Sequence, residues 1–354
     1  MTSPKVARLD GLDLARFLAF FGMVVVNFKI VMGVTGPGTG ITAMITELLE
    51  GKAAATFVVL AGVGLGLTVI HGGLDGTRMT TLRRAVFLLV IGLSNTLIFD
   101  ADILHYYAFY FLFGMMCLGC SDRVIVWLMA AVTLGFVALA MVFDYETGWD
   151  WTNYTYEDFW TLAGFVRNLF FNGWHPVLPW LAFFLFGIWL SRRNLSAPDT
   201  QQRMLICGIA GVVIVEFLAW GVAAGIGNDD PELRELGELF LTAPIPPGPL
   251  FIVTGICTAT AVIALCLLIA RGIGSTAVFR ILTAPGRQTL TLYVAHILLG
   301  MGAIEALGML GGQTLGQALA AAVLFCLIAT VYAAIWAQFF KRGPIEMLMR
   351  KLAG

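Results

Sequence analysis

Ten runs of mostly apolar residues divide this 354-residue chain, each near the 20 or so residues that an α-helix needs to cross a bilayer. They cover 13–33, 52–70, 83–99, 103–120, 123–143, 174–191, 204–226, 248–270, 288–310 and 314–340. In lipid every backbone N–H and C=O must be satisfied internally, which leaves helices as the outcome for runs of this length. The expected fold is therefore all-α, a polytopic integral membrane protein of about ten transmembrane helices. With 59% hydrophobic and only 12% charged residues, the composition lies outside the range of soluble domains. No soluble domain is left over, so 1–354 reads as a single membrane domain with an extracytoplasmic loop at 144–172. Within that loop, 158–171 is amphipathic and is expected to lie as a helix in the interface. The third and fourth runs are separated only by "DADI", which predicts a tight turn at the membrane surface. The first run follows a short basic segment without a small-residue cleavage site, so no cleavable signal peptide is expected.

Lysine and arginine set the orientation, because cytoplasmic loops retain them. With the N-terminus inside, the inner segments hold 16 of them and the outer segments four (Lys29, Lys52, Arg167 and Arg234), with Arg16 left inside a helix. Both termini are expected on the cytoplasmic side. A net charge of −1 gives no argument for nucleic acid as a partner. The six cysteines fall within or at the ends of apolar runs and read as reduced packing residues, Cys117 and Cys120 included.

Polar groups inside spans are costly, so each is a candidate for function. Here they are Arg16, Asn27, Asn95, Glu216, His296 and Glu305, with Asp102, His105 and His175 close to an outer boundary. Asp13 lies three residues before Arg16 and is spaced to pair with it. Glu216 and Glu305 read as neutral groups hydrogen-bonded within the bundle. A lone His296 near mid-bilayer reads as structural. The outer half is richer. Asn27, the pair Asp102 and His105 on one helix face, and His175 in "NGWHPVLPW" bring an amide, a carboxylate and two imidazoles to one leaflet. A carboxylate beside an imidazole can set its tautomer and favour a general base. A helix-cap aspartate beside an interfacial histidine is the alternative.

The stretch "LDLAR", followed by Asn27 eleven residues beyond Arg16, resembles the opening helix of the membrane acyltransferases, with Phe17 where that group usually has Gly. Four more stretches resemble its YeiB-like branch, which is related to the heparan-α-glucosaminide N-acetyltransferases. They are "DILHYYAFYFLFG" (102–114), "HPVLPWLAFFLFGIWLSR" (175–192), "GRQTLTLYVAH" (286–296) and "FFKRGPIEMLMR" (339–350), the last being the most specific.

The resemblance implies a polytopic acyltransferase taking an acyl group from a cytosolic acyl-CoA, acetyl-CoA first of all, to an extracytoplasmic hydroxyl or amine acceptor such as a sugar. No metal is implied. Membrane lipid and acyl-CoA are the implied partners, a homodimer is allowed, and the expected location is the bacterial cytoplasmic membrane. Arg16 would hold structure or an anionic part of the donor, with Arg287, Tyr293 and His296 lining the donor tunnel. In heparan-type enzymes a catalytic His follows the Asn after about eleven positions, and "FKIVMGVTGPGTG" contains none. The base role is therefore expected of His175 or His105, with His296 in second line, Asp102 orienting the imidazole and Asn27 donating to the developing oxyanion. A covalent acyl-enzyme on a His or on Cys117 stays open. The competing class is a transporter of a small amphipathic molecule, supported by Pro176 and Pro179 at the start of one span and Gly62, Gly64 and Gly66 within another.

Overall fold

A computed structural model describes residues 9–34, 38, 40–225 and 237–354; Lys5, Arg8, Arg234 and most of the acidic stretch before Gly237 lie outside the described residues. Helix α1 (Asp10–Val31) is the centre of the bundle, with Ala15, Phe20 and Val24 fully buried. It packs on α3 (Lys52–Gly72), α10 (Pro249–Ile273) and α14 (Leu315–Phe339). Close approach at the inner end needs Gly11, whose added Cβ would meet Cys266 O and Leu267 Cα of α10, each at 2.7 Å. The short α2 (Gly40–Leu49) leads into α3 through Gly51, whose φ of 65° suits glycine.

Helix α3 crosses α8 (Val177–Ser191) backbone to backbone at Gly62 and Gly187. A Cβ at Gly62 would stand 2.1 Å from Phe184 O, and one at Gly187 2.1 Å from Val59 O. Small residues at membrane helix crossings serve this purpose. Gly62 and Gly66 therefore close packing contacts in an unbroken α3, against the loosened helix that would favour a transporter. Pro176 and Pro179 do sit at a break: Leu178 is non-helical inside α8.

Helix α4 (Leu74–Asn95) packs antiparallel to α5 (Leu104–Met116) and α6 (Asp122–Ala140) lies on α8. A two-stranded antiparallel hairpin, Trp149–Asp150 with Thr155–Tyr156, covers one end of the bundle. It is followed by α7 (Leu162–Arg167), a π turn at Asn168–Asn172, and α8. The amphipathic stretch 158–171 is thus helical over only part of its length. It is anchored by Arg167, which donates to Asp158 at 2.6 and 2.7 Å and to Tyr156 Oη at 2.7 Å. The long α9 (Pro198–Gly225) docks on α10. At the opposite end from the hairpin lie α11 (Ala277–Thr283) and the amphipathic α15 (Pro344–Ala353). Between them run α12 (Thr289–Ala295), a π turn at His296–Met301, and α13 (Gly302–Ala306) as one interrupted span.

The chain is an all-α polytopic membrane protein. Seven described helical segments are long and apolar enough to cross a membrane, or eight if Leu162–Asn172 and Val177–Ser191 form one span bent by 52°. The expected count of ten is larger because two of its runs differ in kind. Helix α4 carries Asp75, Arg78, Arg83 and Arg84 in its first half, and α5 has 13 residues, about 20 Å of helix against a 30 Å hydrocarbon core. The turn expected at "DADI" is present but longer, with Leu97, Ile98 and Asp100 exposed. Residues 96–103 form a non-helical segment whose Phe99, Ala101, Asp102 and Ile103 are buried. Irregular backbone at membrane depth is tolerated where protein encloses it or a cavity adjoins it.

Candidate active site

The part-buried segment 96–103 is held by a chain of polar contacts. Asn95 Nδ2 donates to Asp102 Oδ1 at 3.0 Å, and the Leu104 N–H donates to Asp102 Oδ2 at 2.8 Å. The Ile103 N–H, next to Asp102, donates to Tyr293 Oη at 3.2 Å. Tyr293 passes the chain to the next turn, because its carbonyl meets His296 Nδ1. A carbonyl only accepts, so Nδ1 carries the proton and Nε2 presents its lone pair. Into that lone pair points Asn27 Nδ2, at 3.0 Å. Polar contacts thus run from Asn95 and Asp102 through the Ile103 N–H to Tyr293, His296 and Asn27, linking α4, the 96–103 segment, the α12 span and α1. His296 opens the π turn, a feature that recurs at functional sites.

This chain divides two cavities. On the hairpin side lies a cavity of about 440 Å³ lined by Asn27, Lys29, Glu50, Tyr154, Trp174 and His175 among others. Lys29 and Glu50 form an ion pair in its wall. On the α15 side lies a groove of about 180 Å³ lined by Arg16, Leu60, Arg84, Tyr107 and Tyr293. Ala101 faces the first and Leu104 the second, so only Asp102 and Ile103 separate them there. The groove shares Arg84 with a vestibule of about 560 Å³ lined by Thr77, Thr80, Thr81, Arg350 and Gly354. Arg342 and Arg350 repel Arg84 as like charges, and Arg84 Nε is buried without a hydrogen-bond partner.

The expected site residues separate into four groups. Asn27 and His175 line the same cavity; the His175 ring stands edge-on to Trp180 with centroids 4.6 Å apart, and its Nδ1 is buried without a partner. Its backbone carbonyl accepts from Tyr110 Oη at 2.5 Å.

Asp102 and His105, expected near an outer boundary, are fully buried within the protein. Asp102 Oδ2 lies 3.8 Å from His105 Nδ1, beyond hydrogen-bond reach, and its oxygens are already taken by Asn95 and the Leu104 N–H. The carboxylate therefore holds the start of α5 and not the imidazole. His105 lies against the Tyr106 ring at 3.8 Å with neither ring nitrogen bonded.

The third group secures the inner end. Arg16 donates to Asp13 at 2.7 Å while also lining the groove, and Arg287 donates to Asp13 at 3.2 Å and to Asp10 at 3.3 Å. His296 and Tyr293 belong to the dividing chain. Glu216, expected neutral, is ion-paired with Lys52 at 2.8 Å and accepts from Thr242, while Glu305 is exposed. The vestibule arginines were not singled out from the sequence, although the adjacent Arg83 and Arg84 at the start of an apolar run were a visible signal.

The stretch "GPIE" also has a physical reason. Glu346 Oε1 accepts from the backbone N–H groups of Leu290 (2.8 Å) and Thr291 (3.1 Å), and Oε2 from Thr291 Oγ1 (2.5 Å). It supplies the cap that the first turn of α12 lacks. Burial pushes its carboxyl above the usual range, against the lowering effect of these donors.

A family model described as heparan-alpha-glucosaminide N-acetyltransferase, catalytic, matches residues 8–221. A second, described as a protein of unknown function (DUF418), matches 189–354. No curated protein matches the chain. The first match spans more than half of the sequence and includes Asn27, Asp102, His105 and His175; the second includes Arg287, Tyr293, His296 and Glu346. The chain belongs to the heparan-α-glucosaminide N-acetyltransferase catalytic family.

Proposed function

We propose that this protein is an acyl-CoA-dependent transmembrane acyltransferase that carries an acyl group, acetyl first of all, to a hydroxyl or amine acceptor on the extracytoplasmic side. Both termini and α15 face the cytoplasm in this reading, supported by the 16 inner against four outer basic residues. The donor sits with its phosphates among Arg84, Arg342 and Arg350, three like charges whose clustering favours a polyanion. Its pantetheine arm follows the groove past Tyr107 to Tyr293, and the acceptor occupies the hairpin-side cavity.

The observation that carries the reading is the Asn27–His296 contact, standing in the wall between those two spaces. Because His296 Nε2 demands an N–H, it fixes which way the Asn27 amide faces, and the second Nδ2–H is left to donate to the thioester oxygen. His296 is a positioning residue here, its lone pair already occupied. The base is His175, which takes the acceptor proton as the acceptor oxygen or nitrogen bonds to the acyl carbon. The C–S bond then breaks, and the CoA thiolate leaves and recovers the proton from the imidazolium. Tyr154 and Trp174 offer ring faces suited to a sugar.

Incubating purified protein with acyl-labelled acetyl-CoA tests this. Acceptor-dependent release of free CoA thiol with label in the acceptor is expected. Uptake of an amphipathic solute into liposomes without thioester cleavage would overturn it in favour of transport.

A further inference from the structure

Away from the proposed site, a groove of about 470 Å³ lies between α8, α9 and α10. Its wall changes character along its length. One end is apolar, with Phe186, Trp189, Met204, Cys207 and Cys257; the other carries Arg193, Thr200 and Arg203. The polar end belongs to the α15 side of the bundle, since neighbouring Arg192 donates to Cys120 O at 2.8 Å and nearby Gly119 approaches Arg78 of α4.

The charges there are unbalanced. Asp122 is shared by Arg192 (2.7 Å) and Arg193 (2.5 Å). Arg203 is exposed and has no ion pair among the described residues, while Arg123 adds a further cation and Asp199 a further anion. Four arginines thus face two aspartates. Arg193 is also braced, its guanidinium 4.2 Å above the Trp189 ring, so the positive edge is joined to the apolar wall by one residue. Helix α9 turns Ile206, Ile209, Val213 and Phe217 outward, which places the groove in contact with lipid.

We infer that this groove is a seat for an anionic phospholipid of the cytoplasmic leaflet, its phosphate at Arg193 and Arg203 and one acyl chain along Trp189, Met204, Cys207 and Cys257. An open groove with an uncompensated positive lip at a membrane boundary attracts anionic headgroups, and a zwitterionic lipid neutralises its own phosphate. The bound lipid fills the space that α9 leaves against α8. The inference stands apart from acyl transfer, since neither cavity of the proposed site adjoins this groove.

Native mass spectrometry of the detergent-purified protein, titrated with dioleoyl phosphatidylglycerol or dioleoyl phosphatidylcholine, tests it. Wild-type protein retains the anionic lipid preferentially. Arg203→Ala lowers that retention roughly fivefold without changing the zwitterionic lipid, and Cys207→Trp, which fills the apolar end, lowers it too. Thermal unfolding midpoints matching wild type keep misfolding apart from loss of the seat. Equal retention of both lipids by wild type, or full retention of phosphatidylglycerol by both variants, overturns the inference. So does displacement of the lipid by millimolar inorganic phosphate with Cys207→Trp unaffected, which marks a free-anion site, or a dimer whose interface covers Cys207.

Discussion

The side-chain amide of Asn27 meets the imidazole of His296 at 3.0 Å, although 269 residues separate them in the chain. Because His296 Nδ1 faces the Tyr293 carbonyl, the Asn27 amide is held with its nitrogen toward the ring. Replacing Asn27 by Ala removes the proposed oxyanion donor, and transfer is expected to fall about 10²–10³-fold. It also leaves His296 Nε2 buried and unpaired, at a cost of about 1–3 kcal/mol. Initial rates beside a thermal unfolding midpoint check both. Full activity in folded Asn27→Ala protein would remove the oxyanion role.

Arg84 joins the vestibule to the groove, and its Nε lacks a partner. If the donor's phosphates rest there, Arg84→Ala and Arg350→Ala each raise KM for acyl-CoA while kcat stays nearly constant. A lost charge-assisted hydrogen bond of about 1.5–3 kcal/mol corresponds to a tenfold change or more. A change in kcat alone would place the donor elsewhere.

Glu346 joins α15 to the first turn of α12 and so bears on the position of Tyr293 and His296. Glu346→Ala leaves two part-buried N–H groups and a hydroxyl without their acceptor, and a stability loss of about 1–3 kcal/mol is expected. Glu346→Gln keeps one acceptor oxygen and should lose less. Equal midpoints for wild type and Glu346→Ala would show that the cap contributes nothing.

The orientation is open to accessibility labelling of single cysteines in a cysteine-free background. Positions in 145–170 should label from outside and those in 72–82 and 194–202 from inside. Labelling of 145–170 from the cytoplasm alone would reverse the bundle and, with it, the assignment of the two cavities to donor and acceptor.

Much of the fold was legible because the apolar runs of α1, α9, α10 and α14 have nearly the length and composition of a span, and lipid leaves such runs one option. The two runs that flank Asp102 differ from the expectation for a physical reason: apolar residues at their facing ends, such as Phe99 and Ile103, pack inside protein as readily as a helix packs in lipid. Hydropathy does not separate the two cases. Asp102 and His105 do share a helix face, but spacing does not reveal that Asn95 and the Leu104 N–H take the carboxylate first. The pairing of Asn27 with His296 depends on α1 and α12 meeting, and nothing local in either segment signals it. The Asp13–Arg16 pair, set by helix periodicity alone, was readable and is present.

The central claim is that a base in the hairpin-side cavity, His175, works beside Asn27, and the pH dependence of transfer by His175→Ala tests it most directly. Loss of a general base costs roughly 10²–10⁴ in rate, and the remaining activity should climb with pH as the acceptor deprotonates unaided. His105→Ala, whose ring contacts no part of the cavity wall named here other than through Tyr106, should keep most of its activity over the same range. The account predicts a depressed, rising profile for His175→Ala. A near-normal profile for His175→Ala, together with an inactive but folded His296→Ala, would contradict it and move the proton transfer to the middle of the membrane.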